Sequence, residues 1–141
     1  MALDEVFRYF RQYDTRTLEA VSCMGNQPSE TDVLEFESEA GFRLPDEFRE
    51  FTKSPLGGLF MQVREKYWPR PKPHEVRPFW SFQYGLRVYG IARGIPDWLD
   101  IRVEYRVFRQ AGFGELVPFL QVVGDADKYC FDADGRIIRW S

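Results

Sequence analysis

The run Ser54-Pro55-Leu56-Gly57-Gly58 divides this chain into two kinds of pattern, and no other feature constrains its folding as much. Pro55 cannot continue a helix, and the paired glycines let the backbone turn sharply. Before this point apolar residues recur at helical spacing. Val6, Phe7, Phe10 and Tyr13 share one face, with Asp4, Glu5, Arg8 and Arg11 outside. This predicts a helix through the first 24 residues, with Asp14 or Thr15 able to cap a further turn. A second helix is better marked. Ser29 and Asp32 have capping-box spacing, acids occupy the first turn, and Gly41 can supply the left-handed stop. Its buried stripe is Val33, Phe36 and Ala40. Pro45 then suits the first position of a third helix, where no backbone donor is needed, with Phe48 and Phe51 inward.

After Gly58 the alternation is that of strands. Leu59 to Arg64 is one candidate, and Phe82 to Val88 alternates apolar and polar residues as a second. Between them, Pro69, Pro71 and Pro73 rule out a regular element and predict an extended loop. Residues 97–111 fit both periods. Their length favours a helix started at Pro96-Asp97 and stopped at Gly112. Leu116–Val123, Lys128–Asp132 and Arg136–Trp140 read as strands, the last two joined as a hairpin through Asp134-Gly135.

Composition decides between classes. The chain has 141 residues, 44% hydrophobic and 17% aromatic. A chain of that size buries about 68 to 70% of its unfolded surface, enough for a core without metal or disulfide. One domain over residues 1–141 is expected, helical over about 1–53 and sheet-rich over about 59–141. Cys23 and Cys130 are too few for a disulfide framework and are expected to be reduced thiols, which suits the cytoplasm. Acidic and basic residues break the amino-terminal stretch and every apolar run, which disfavours a signal peptide and a membrane span. The net charge of −3 conceals an asymmetry. Residues 1–63 carry twelve acidic and six basic side chains, whereas residues 64–109 carry five and ten.

Catalytic chemistry finds little support. His74, the only histidine, sits in the proline-rich loop, and no nucleophile-elbow, zinc-protease or dinucleotide motif occurs. Asp125, Asp127, Asp132 and Asp134 invite a calcium reading, but Tyr129 and Phe131 interrupt the alternation an EF-hand loop requires. They read better as carboxylates at strand ends. No catalytic, cofactor or metal site is expected, and an enzyme acting on phosphate or sugar through Asp125 and Asp127 ranks last. Arg64, Lys66, Arg70, Lys72 and Arg77, interleaved with Tyr67, Trp68, Phe79 and Trp80, suit single-stranded nucleic acid in type. A sequence pI near 5.3 weighs against that, since nucleic-acid domains usually exceed about 9. Trp, Tyr and Arg are also the residues enriched in protein-interface hot spots.

The order of several motifs points to a family. Gly41-Phe42-Arg43-Leu44-Pro45-Asp46-Glu47-Phe48-Arg49-Glu50-Phe51 comes first, followed by the Gly57-Gly58 pair and Tyr89-Gly90-Ile91. Val117-Pro118-Phe119, Asp127-Lys128-Tyr129-Cys130-Phe131-Asp132 and Arg139-Trp140 complete the series, which resembles the SUKH superfamily from about Glu30 to Trp140. That superfamily includes the fungal Smi/Knr cell-wall-assembly regulators. The resemblance implies an α+β fold, with helices packed on a mainly antiparallel sheet, and no catalytic activity. Bacterial members are similar to immunity proteins that bind a cognate toxin, often a nuclease; the fungal members look like regulatory interaction proteins. The chain departs from the pattern at Leu56, where Asn is frequent, and in the Pro-, Arg- and aromatic-rich loop from Trp68 to Trp80.

A protein-binding role of this type would draw its anchors from Tyr67, Trp68, Arg70, Trp80 and Trp98. An acidic surface from residues 30–50, with Glu35 and Glu39 in it, either steers the chain toward a basic toxin or is only a solvated helix face. Asp125 and Asp127 complete the candidate partner-binding set.

Overall fold

The structure is a computed structural model and describes residues 8, 12–22, 27–70, 72 and 83–141. The six strands β1 (Leu18–Ser22), β2 (Leu59–Val63), β3 (Gly85–Val88), β4 (Val117–Val122), β5 (Lys128–Phe131) and β6 (Ile137–Trp140) lie side by side in chain order. Every neighbouring pair is antiparallel. Among the described residues they are accompanied by the helices α1 (Glu30–Ala40), α2 (Asp46–Lys53) and α3 (Ile101–Gln110). The architecture is α+β.

Local chemistry accounts for the helix ends. The Ser29 hydroxyl accepts the Asp32 N–H at 3.1 Å while the Asp32 carboxylate accepts the Ser29 N–H at 2.9 Å, which closes the capping box before α1. Gly41 ends the helix at φ 85°, its N–H donating to the Glu37 carbonyl. Val33, Phe36 and Ala40 are buried as the spacing predicts. Pro45 sits just outside α2, which begins at Asp46, and Phe48 and Phe51 face inward. The final hairpin turns at Gly135, φ 78°, where the Asp132 carboxylate accepts the N–H groups of Asp134 and Arg136.

Two predicted elements differ. Leu18–Ser22, predicted helical, is an edge strand paired with β2 from Leu18 opposite Val63 to Ser22 opposite Leu59. Asp14 starts only one turn: its carboxylate accepts the Arg16 N–H and the Thr17 hydroxyl, and its carbonyl accepts the Leu18 N–H. The chain then extends because its ladder partner lies forty residues downstream, with Glu19 taking bonds from Gln62 and Arg64. Arg8 and Gln12 are helical, whereas Val6, Phe7 and Phe10 lie outside the described residues. The predicted helix over 97–111 is interrupted. Asp97–Leu99 forms a 3-10 turn, and Asp100 restarts the helix by accepting the Arg102 N–H at 2.9 Å. The break has a tertiary cause: Gly90, just beyond β3, donates to the Leu99 carbonyl and accepts from the Ile101 N–H, so the chain is pinned to the sheet there.

The core joins the helices to the middle of the sheet. Val33, Phe36, Leu44, Phe48, Tyr89, Ile91, Ile101, Tyr105, Val117 and Phe131 form one buried cluster. Phe48 packs edge-on against Phe119 and Phe131, which are themselves stacked at 4.0 Å, and Phe36 meets Tyr105. Phe108 extends the cluster to Trp140 on β6, and Lys128 pairs with Glu104 beneath α3.

Candidate partner-binding surface

Residues directly opposite each other in antiparallel strands share a face, so the register of β1 to β4 defines two sets. Val21, Phe60, Arg87 and Gln121 stand opposite one another in succession, forming a row across four strands. The 3-10 turn brings Trp98 onto this row. Its indole meets Phe60 edge-on at 5.5 Å, and the Arg87 guanidinium lies 5.8 Å from its ring centre. The turn is held by the small buried cluster of Ala92, Ile95 and Leu99 and by the Gly90 to Leu99 bond. Trp98 is 48% exposed and Val21 62%, while Phe60 and Arg87 are half-buried. The result is an apolar shelf with the Arg87 cation set into it.

A polar relay runs inward from the shelf. Tyr89, fully buried, donates its hydroxyl to Gln121 Oε1 at 3.1 Å, and Gln121 Nε2 donates to the Asp125 carbonyl. Burial pushes the Tyr89 phenol well above the usual range, so it stays neutral. Burial also pushes the Cys130 thiol up to about 11, leaving it protonated and without a nucleophilic thiolate at neutral pH.

The loop after β2 forms a second cluster. Arg70 donates to the Trp68 and Val63 carbonyls, both at 2.5 Å, and stacks 3.8 Å above the Tyr84 ring. Tyr84 belongs to the opposite set of side chains. It shares a face with Leu86, Met61, Leu18, Val63 and Val122, which together line a shallow apolar groove of about 250 Å³. Arg70 and Trp98 therefore lie on opposite faces of the sheet. The reason is topological, because a strand inverts its side chain at each residue. Tyr67 is exposed with Lys66 over its ring, Trp68 is half-buried, and Trp80 lies outside the described residues, as does His74.

The predicted acidic surface is largely spent on internal pairs. Glu37 is buried against Arg49, and Glu30 accepts from both Arg49 and Lys53. Glu39 takes a two-pronged bond from Arg106 at 2.9 and 3.0 Å, with Arg109 at 3.6 Å. Asp32 caps its own helix and Asp46 pairs with Arg43. Glu35 and Glu50 remain exposed. Asp125 and Asp127 both face Arg139, at 4.0 and 2.7 Å, and Asp132 and Asp134 face Arg136. These carboxylates close the turns of the sheet, and of the candidate contacts Glu35, Glu39, Asp125 and Asp127, only Glu35 has no ion pair among the described residues.

The paired acids set the response to pH. Hydrogen bonds from Lys53 and Arg49 lower the Glu30 carboxyl from 4.5 to about 2, and the Arg106 guanidinium lowers that of Glu39. A carboxyl whose pKa falls on folding contributes stability above its unfolded pKa and loses it as protons return. The melting temperature is expected to hold from neutral pH down to about 4.5 and to fall toward pH 2, less steeply in Glu30→Gln. A melting temperature that does not change between pH 5 and 2, followed by circular dichroism, contradicts this.

Val21, Phe60 and Arg87 were not identifiable from sequence as neighbours of Trp98. The signal that unites them is the pairing register, which spans 39 and 27 residues of chain between partners.

A sequence model of the SMI1 / KNR4 family (SUKH-1) matches residues 27–141, from before α1 to the end of β6. No curated protein matches the chain, and no solved structure does. The match takes in α1, α2 and α3 and the strands β2 to β6, together with the Gly41 to Phe51 run and the paired glycines, and the chain belongs to the SMI1 / KNR4 (SUKH-1) family.

Proposed function

We propose that this chain is a single, non-enzymatic protein-binding domain of the immunity type, which neutralises a cognate bacterial toxin in the cytoplasm by covering its working surface. Family membership supports a protein partner. The observation that carries the reading is the shelf: a half-exposed indole fixed on Phe60 and Arg87 beside the exposed Val21. A tryptophan whose orientation is set before binding loses little freedom on contact, which is how an interface anchor gains affinity. Of the candidate residues, Trp98 is the central one. Tyr67, Trp68, Arg70 and Trp80 on the loop, with Glu35, are secondary contacts, and Glu39, Asp125 and Asp127 act by holding the scaffold through Arg106 and Arg139.

The test is co-expression with the product of the adjacent gene. The chain is expected to restore growth and co-purify with it, and Trp98→Ala to weaken the complex by about 30-fold, equivalent to about 2 kcal/mol. Absence of both rescue and co-purification overturns the reading.

A further inference from the structure

Arg87 stands apart from the arginines around it. Arg49, Arg64, Arg102, Arg106 and Arg139 each bond a carboxylate within the chain. Among the described residues Arg87 has no such bond. Its Nη1 reaches the Trp98 carbonyl only at 3.4 Å, the buried Tyr89 hydroxyl lies beside the guanidinium, and its Nε is shielded from solvent with no hydrogen-bond partner among the described residues. Carboxylates on the neighbouring elements are engaged with other partners: Glu19 with Gln62 and Arg64, Asp100 with Arg102, and Glu104 with Lys128. A guanidinium with a buried orphan donor carries a desolvation cost that an incoming acceptor relieves.

We propose that the shelf binds a protein segment that places an Asp or Glu carboxylate on Arg87 and an apolar side chain against Val21 and Trp98. The charge of the site selects an anionic group, and its walls select a peptide over a free anion. Phe60 and the Trp98 indole flank the guanidinium with apolar surface, where water screens a carboxylate pair less than at an open surface. A carboxylate entering the Nε and Nη fork rotates the side chain outward and satisfies the orphan nitrogen. Because the indole lies on the guanidinium, its emission reports that movement.

This inference rests on the protein-binding reading, and the tests separate the two. Random twelve-residue peptides displayed on phage are selected against the full chain and against Arg87→Gln. Wild-type selection is expected to enrich Asp or Glu next to an apolar residue. The enriched peptides should shift tryptophan emission, bind Arg87→Gln and Trp98→Ala at least about tenfold more weakly, and weaken with added salt. Arg87→Lys, which keeps the charge without the fork, should fall between. Enriched sequences lacking acids, equal binding to Arg87→Gln, or no enrichment overturns the carboxylate contact. In the co-expression assay, equal protection by wild type and Arg87→Gln removes this contact while leaving the immunity reading intact; failure of the wild type removes the immunity reading, and the peptide selection still decides the contact.

Discussion

Glu37→Ala is expected to lower the unfolding free energy by about 3 to 5 kcal/mol, close to the whole stability of a marginal domain. Glu37 is 7% exposed and Arg49 6%. One carboxylate oxygen of Glu37 accepts the Leu44 N–H at 2.7 Å and Arg49 Nε at 3.0 Å, and the other lies 3.2 Å from Arg49 Nη2. Removing it leaves the buried guanidinium with Glu30 as its one remaining carboxylate partner among the described residues and strands the Leu44 backbone donor between α1 and α2. Arg49 cannot escape by losing its proton, since a guanidinium stays protonated in proteins and Glu30 remains beside it. Glu37→Gln keeps an acceptor for Leu44 and should cost less. The double replacement Glu37→Leu with Arg49→Met should recover most of the loss, because a buried ion pair contributes little net stability once both charges are gone. Urea unfolding of the three variants measures this, and a cost below about 1 kcal/mol for Glu37→Ala contradicts it.

Gly90→Ala is expected to cost about 3 kcal/mol, at the upper end for overpacking. The cause is steric, not conformational. A methyl group at Gly90 would lie 2.4 Å from the Gly58 nitrogen and 2.7 Å from its Cα, and neither is the end of a movable side chain. Gly57 is similarly confined, its would-be Cβ 2.1 Å from the Thr52 carbonyl oxygen. The backbone after α2 thus runs against the continuation of β3. That contact also positions the shelf, because Gly90 bonds Leu99 and Ile101 on either side of Asp100, next to Trp98. Gly90→Ala should therefore redshift or quench the indole emission as well as destabilise the fold. Gly94→Ala is the control. It sits at φ 70° with open space around it, so only the ordinary left-handed penalty of about 1 kcal/mol applies. Equal costs for the two glycines would refute the close-approach explanation.

The elements legible in the sequence are those whose stabilising partners are near in the chain. Ser29 caps a residue three positions away, Gly41 ends its own helix, and Asp132 organises a turn four residues long. β1 is not legible in the sequence because Leu-Glu-Ala-Val-Ser favours neither period strongly, and its bonds go to β2. Trp98 fits the apolar stripe of Ile101, Tyr105 and Phe108 on paper. Asp100 breaks that helix, so Trp98 leaves the stripe for the open shelf while the other three are buried.

The acids from Glu30 to Glu50 show the same division. Their number and sign are visible in the sequence, and their neutralisation is not, since Glu39 finds Arg106 across 67 residues and Glu30 finds Lys53 across 23. Sequence alone determined the family, the helix boundaries set by caps and glycines, the closing hairpin, and the presence of exposed-type aromatics in a basic middle. Only the tertiary structure decided that Val21, Phe60, Arg87 and Trp98 form one surface while Arg70 works on the opposite face. Caps and turns are chosen by contacts a few residues apart, whereas a sheet surface is written by strand register, which is settled when distant segments bury their side chains together.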